Sequence, residues 1–95
     1  MEDTVELGGS IQLNGFGQVD GATMIILKKI VGNYAKQISE RCSKFEKLSV
    51  SMDKSNGCRI SAELLDSGNS ITGEEENNNL FFALDKALKE IENKL

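Results

Sequence analysis

The chain has 95 residues, 39% hydrophobic content, no histidine and a formal net charge of −4. Its length predicts a single domain over residues 1–95, and its composition is that of a globular protein rather than a disordered one. No apolar run approaches the length of a membrane span, and the acidic start is unlike a signal peptide. We therefore expect a cytoplasmic protein with two free thiols.

The first predicted element is a strand over residues 4–14, where apolar side chains recur at every second position across Gly8-Gly9. The two glycines predict a β-bulge. Residues 15–21 then lie between a strand and a helix, where phosphate-binding loops occur. Their spacing is G-x-G-x-x-x-G, which is not the dinucleotide-binding fingerprint, so a glycine turn beside a helix cap is favoured over an anion site.

Residues 22–47 are predicted to form one long amphipathic helix followed by the entry to a strand, with Asp20 as the N-cap of the helix. At 100° per residue, one side is apolar and carries Met24, Leu27, Val31, Tyr34, Ala35, Ile38, Cys42 and Phe45. The opposite side carries Lys29, Lys36, Lys44 and Lys47, with Lys28 and Arg41 flanking it. These four lysines would extend over about 27 Å of one helix.

Three strands and a second helix are predicted in the rest of the chain. Period-two alternation marks strands at 48–52, 58–64 and, more weakly, 70–75. Asn56-Gly57 is typical of a type I′ hairpin turn, and residues 66–69 form a second turn. The asparagine run at 77–79 supplies a cap for a final helix from residue 80 to about residue 94.

The order β-α-β-β-β-α predicts an α+β fold, a two-layer sandwich in which a four-stranded mixed sheet carries both helices on one face. The β-α-β opening makes the first two strands parallel, and the hairpins make the others antiparallel. The other sheet face carries small polar and acidic residues such as Ser49, Ser51, Ser61 and Glu63, and we expect it to be open to water.

Positive charge is concentrated in one part of the chain. Residues 22–47 carry six bases and two acids, whereas the remainder has a net charge of −8. This pattern favours phosphate binding, hence structured RNA, by six basic residues: Lys28, Lys29, Lys36, Arg41, Lys44 and Lys47. The alternative explanation is the ordinary solvated face of a surface helix.

Three apolar residues, Ile25, Ile26 and Phe82, fall off the core stripes of their helices. They predict a contact patch for a protein partner or a homodimer, unless neighbouring elements of the chain cover them. No catalytic residue, metal site or small-molecule cofactor is predicted. Histidine is absent, neither cysteine has an activating base, and Glu74, Glu75 and Glu76 point to alternate faces of a strand.

The start of the last helix reads Asn79-Leu80-Phe81-Phe82-Ala83-Leu84-Asp85-Lys86. It resembles the aromatic-Ala-x-aliphatic-Asp-Lys start of the final helix in ribosome hibernation-promoting factors, the ribosome-associated inhibitor family. The SKFEKLSV passage at 43–50 and the element order extend this resemblance. It implies an architecture related to double-stranded-RNA-binding domains, and binding of ribosomal RNA through basic residues on the helices.

Two functions are therefore predicted. The first is a non-enzymatic RNA- or ribosome-associated binding module that uses the basic face of the first helix. The alternative is a protein-interaction or homodimerising module that uses the three off-stripe apolar residues.

Overall fold

The computed structural model describes residues 5–6, 10–17, 19–53 and 58–95. Within these residues, the elements are β1 (Val5–Glu6), β2 (Ile11–Asn14), α1 (Gly21–Arg41), β3 (Phe45–Asp53), β4 (Cys58–Asp66), β5 (Asn69–Asn77) and α2 (Leu80–Asn93). One sheet has the strand order β1-β2-β3-β4-β5. β2 and β3 are parallel, and the other neighbours are antiparallel. The predicted α+β class, mixed sheet and β-α-β-β-β-α order are confirmed, with the two-residue β1 added at one edge.

The first strand differs from its prediction. Residues 4–14 do not form one strand, because β1 and β2 pair with each other antiparallel, with Val5 opposite Leu13. The alternation read across the glycines therefore combined two strands of opposite direction. The bulge predicted at Gly8-Gly9 and the turn predicted at Asn56-Gly57 lie outside the described residues.

The first helix ends earlier than predicted, at Arg41. Cys42 takes extended backbone angles, with φ −86° and ψ 143°. Phe45 already pairs with Asp66 of β4, and the N–H of Lys44 donates to the Asp66 carboxylate at 2.9 Å. Cys42 and Phe45 fit a helical period by coincidence, since they are three positions apart. The residues after Arg41 lead into β3 and pair with β4 instead of continuing the helix. The predicted helical stripe that included Lys44 and Lys47 is therefore wrong.

A single core lies between the sheet and the helices. Its fully buried side chains come from every layer: Leu13, Phe16, Leu27, Val31, Ile38, Leu48, Val50, Ile60, Leu64, Leu84, Leu88 and Ile91. The predicted caps are confirmed, because Asp20 accepts the N–H of Thr23 and Asn79 accepts those at the start of α2. Neither helix in the described part of the chain is both long and apolar enough to cross a membrane.

The two helices run parallel to each other, in a fixed register. The Tyr34 hydroxyl donates to Asp85 Oδ1 at 2.5 Å, and Arg41 Nη1 donates to the carbonyl oxygen of Glu92 at 3.3 Å. Both contacts join residues 51 positions apart. A residue of α1 is therefore level with the residue of α2 that follows it by 51, and the two outer surfaces form one helical layer.

Candidate nucleic-acid interface

The outer face of α1 keeps three of the six predicted basic residues together. Lys28, Lys29 and Lys36 are exposed. Lys29 and Lys36 are two turns apart, about 10 Å along the helix axis. The ion pairs in the described part of the chain are Arg59–Glu74 and Glu90–Lys94. The three lysines therefore have no carboxylate partner there, and their charges face solvent.

Arg41 is directed toward α2 rather than along this face. Its guanidinium donates to the carbonyl oxygen of Glu92 in the last turn of α2. Carbonyls in the last turn of a helix lack intrahelical partners, and a cation near them is favoured by the helix dipole. Arg41 thus joins the C-terminal ends of the two helices, and this contact accounts for a basic residue at that position.

Lys44 and Lys47 lie beside the sheet. The backbone of Lys44 contacts the β4–β5 turn, because its carbonyl accepts the N–H of Ser67 at 3.1 Å. Lys47 is on β3 opposite Leu65 and directly before the buried Leu48. Since side chains alternate along a strand, Lys47 faces away from the helices. The structure therefore divides the six basic residues among three places.

Two further lysines, Lys86 and Lys89, are exposed on α2 and were missed by the sequence interpretation. In the helix register, Lys86 is level with Ala35, one residue before Lys36. The signal was available, because both lysines fall opposite the buried stripe of α2. The equal numbers of acids and bases over residues 80–95 conceal the common direction of the two lysines.

The groove between the helices is less suited to phosphate than their outer surfaces. Its lining combines one lysine with two acids: Ile30, Asn33, Tyr34, Gln37, Asp85, Lys89 and Glu92. Burial, followed by the hydrogen bond to Asp85, raises the pKa of Tyr34. Tyr34 is therefore a neutral donor that occupies Asp85 and holds the helices together. Phosphate contacts would fall on the outer faces of the helices.

The charge of α1 is opposite in sign to that of the three long strands. α1 carries four bases and one acid, whereas β3, β4 and β5 together carry two bases and seven acids. The helix thus has a charge of +3, and the three strands have a charge of −5. The net charge of −4 hides a molecule whose α1 surface attracts anions while its sheet repels them.

The three predicted apolar contact residues are exposed, at 61% for Ile25, 48% for Ile26 and 44% for Phe82. The Phe82 ring lies beneath the Lys86 ammonium, whose Nζ is 5.4 Å from the ring centroid. In the helix register Phe82 is level with Val31, about 8 Å further along the axis than the two isoleucines. The three side chains are therefore distributed over two helices rather than gathered at one point.

The loop before α1 is organised by packing and capping. Phe16 is buried in the core, and Gly15 has φ +81°. The Asp20 carboxylate accepts the Thr23 N–H at 3.2 Å and the Thr23 hydroxyl at 2.6 Å. This hydroxyl contact is the main cause that lowers the pKa of Asp20. A carboxylate at the helix start opposes an anion, which supports the glycine turn beside a cap.

The acidic residues of β5 do not converge. Glu74 pairs with Arg59 at 2.6 Å, and this hydrogen bond is the main cause that lowers its pKa. Glu75 lines a depression beside α2 with Lys86 and Lys89. No group of three or more His, Cys, Asp or Glu residues in the described ranges could hold a metal ion. Cys42 and Cys58 are free thiols, and burial raises the pKa of Cys42.

The motif at 79–86 has a structural explanation. Asn79 caps α2, Ala83 and Leu84 are fully buried, and Asp85 accepts the hydroxyl of Tyr34. These residues set the start and packing of the helix. Comparison of the chain with protein-family models and with curated proteins finds no match.

Proposed function

We propose that this chain is a non-enzymatic RNA- or ribosome-associated binding module, and that Lys28, Lys29 and Lys36 contact phosphates. The observation that carries the proposal is the exposed lysine cluster of α1, which lacks carboxylate partners in the described residues and belongs to a helix of charge +3. The resemblance of residues 79–86 and of the element order to ribosome hibernation-promoting factors supports the same function.

The expected mode of binding is contact with the RNA backbone. Lysine ammonium groups pair with phosphates without reading sequence, and release of counterions makes such binding strongly salt-dependent. The aromatic residue between these lysines, Tyr34, is half-buried against α2 and donates its hydroxyl to Asp85, so base stacking is not part of the mode. Lys86 and Lys89 add two exposed bases on α2, where Asp85, Glu90 and Glu92 offset their charge.

The test is titration of duplex and hairpin RNA at low salt with the wild type and with Lys29→Glu/Lys36→Glu. The wild type should bind weakly, with little preference for sequence. Each removed phosphate contact should lower the log–log salt slope by about one unit. The double variant should therefore lose most of its affinity and about two units of slope.

A matched control is Lys44→Glu/Lys47→Glu, which makes the same change in net charge beside the sheet. It should retain most of the binding, because these lysines lie away from α1. Undetectable binding by the wild type at low salt would reject the RNA function. Equal losses in the two double variants would show that net charge, and not the α1 surface, determines binding.

A second candidate function is a protein-interaction or homodimerising module, which the exposure of Ile25, Ile26 and Phe82 favours. Sedimentation over a range of concentrations should then reveal a dimer. Ile25→Asp/Phe82→Asp should dissociate it without unfolding the subunit, since both side chains are exposed. A strict monomer at millimolar concentration would remove the homodimer from consideration.

A further inference from the structure

The outer edge of β5 is covered by two side chains, from Glu90 in the last turn of α2 and from its C-cap residue Lys94. Glu90 Oε1 accepts the backbone N–H of Glu74 at 3.0 Å, and Lys94 Nζ donates to the backbone carbonyl of Thr72 at 2.7 Å. Glu90 and Lys94 also form an ion pair at 3.4 Å. β5 is the last strand in the described sheet, so these backbone groups point away from β4. An edge strand normally leaves such groups free to pair with another chain.

The reach of Glu90 and Lys94 depends on how closely α2 packs on β5. Gly73 lies between the two contacted residues and faces the helix. A Cβ at this position would collide with the carbonyl oxygen of Ala87 and would lie 3.2 Å from Glu90 Cβ. Without a side chain at Gly73, the helix backbone lies directly against the strand, so that the side chains of Glu90 and Lys94 reach its outer edge.

The two covered groups are those that a second β5 would need. Consider two copies paired antiparallel about a two-fold axis at Gly73, so that Thr72 of one copy is opposite Glu74 of the other. The N–H of Glu74 would then donate to the carbonyl of Thr72 in the second copy, and the reciprocal bond would form. The Glu90 carboxylate and the Lys94 ammonium therefore occupy the Glu74 N–H and the Thr72 carbonyl, the two backbone groups that would bond to each other between the copies.

This antiparallel pairing avoids direct opposition of the three glutamates. Each Glu74 would be opposite Thr72, each Glu75 opposite Ile71 and each Glu76 opposite Ser70. Like charges that are directly opposite would oppose pairing, but here each acid is opposite a neutral residue. The two Glu74 side chains would be diagonal neighbours, but each is paired with Arg59 of its own copy. The strand is nine residues long and regular, so the cover from Glu90 and Lys94 is the main obstacle to pairing.

We propose that Glu90 and Lys94 close the β5 edge to strand pairing, and that the strand they exclude is β5 of a second copy of this chain. The interface is thus present in the fold and blocked by two side chains. It is separate from the lysines of the RNA proposal and from Ile25, Ile26 and Phe82.

The experiment compares the wild type with Glu90→Ala/Lys94→Ala by analytical ultracentrifugation and hydrogen exchange. The wild type should keep its β5 edge unpaired. The double variant should double its mass from 10.4 kDa as concentration rises, and the Glu74 amide should become more protected in the dimer. Both substituted side chains are about half exposed, so the variant should fold, and circular dichroism checks this.

Two further variants make the result specific. Glu40→Ala/Lys47→Ala removes one exposed acid and one exposed base that lie outside β5 and α2, and should leave the association state of the wild type unchanged. Glu74→Pro added to Glu90→Ala/Lys94→Ala removes the outward N–H without removing a backbone hydrogen bond to β4, and should abolish the new dimer. It also removes the side-chain contacts of Glu74 with Arg59 and Ser61 of β4, so Glu74→Ala in the same background is its control and should still dimerise. A monomeric Glu90→Ala/Lys94→Ala variant at millimolar concentration would overturn the proposal. Association that persists with Glu74→Pro, or a wild type that already pairs through β5, would also overturn it.

Discussion

Gly73 is the residue at which α2 and the sheet come closest. Gly73→Ala would place a methyl group against the Ala87 carbonyl, so strand or helix must shift. Overpacking of a buried site costs about 1–3 kcal/mol, and we expect the upper part of this range because backbone atoms are involved. Denaturant unfolding measures the change. Gly32→Ala in α1 is the control, because nothing lies within 4 Å of its Cβ, and it should stabilise the helix by about 1 kcal/mol. Equal effects of the two substitutions would contradict the close approach.

Asp66 joins the end of α1 to the β4–β5 turn. Its carboxylate accepts the N–H of Lys44 and the hydroxyl of Ser67. The Lys44 bond is the main cause that lowers its pKa from the ordinary value of 3.8. A lowered pKa means that the carboxylate stabilises the fold above pH 3.8, and that this contribution is lost as the pH falls through the folded-state pKa.

Asp66→Asn should therefore be less stable than the wild type at neutral pH, and the difference should shrink on acidification. Denaturant unfolding at pH values from 7 down to about 3 gives the free energy of unfolding of both proteins. Other carboxylates with lowered pKa, such as Asp20 and Glu90, remain in both proteins and cancel in the comparison. Parallel stability curves over this range would show that the Asp66 charge contributes nothing to folding.

At the scale of elements, the sequence correctly predicted the strands, helix caps and turn that depend on interactions between residues close together in the chain. Alternation located the long strands, and Asp20 and Asn79 acted as the caps that their side chains suggest. The residue types at 66–69 also predicted the turn. Ser67 and Gly68 adopt positive φ values of 54° and 82°, as a tight hairpin requires. These features depend on residues close together in the chain.

The features that the sequence did not predict depend on contacts between distant segments. α1 ends just before Lys44, whose backbone N–H donates to the carboxylate of Asp66, 22 residues further along the chain. β1 and β2 are the exception in distance, because Val5 pairs with Leu13 only eight positions further along, and period-two alternation does not distinguish one strand from two. For the candidate site, Lys28, Lys29 and Lys36 were correctly grouped on one helix. The grouping of Lys44 and Lys47 failed with the helix boundary, and the cover over β5 requires the packing of α2 at Gly73.

Over the whole molecule, the positively charged α1 and the acidic strands lie on opposite sides of a thin protein. The smallest dimension of the protein is 20 Å. The Debye length is about 30 Å at 0.01 M salt and about 8 Å at 0.15 M. Acids on the far face of the sheet should therefore act on an approaching RNA only when salt is low. Direct lysine–phosphate contacts should persist at higher salt than this long-range repulsion.

The different salt dependence of long-range repulsion and of direct contact allows the two effects on RNA binding to be measured separately. Glu63→Gln/Glu76→Gln neutralises two exposed acids on the sheet face away from the helices. If α1 binds RNA, the variant should bind duplex RNA more tightly than the wild type at about 0.01 M salt, and equally at about 0.15 M. Lys29→Glu/Lys36→Glu should bind more weakly at both. Tighter binding by the glutamine variant that persists at the higher salt would place the RNA against the sheet, and would contradict the α1 interface.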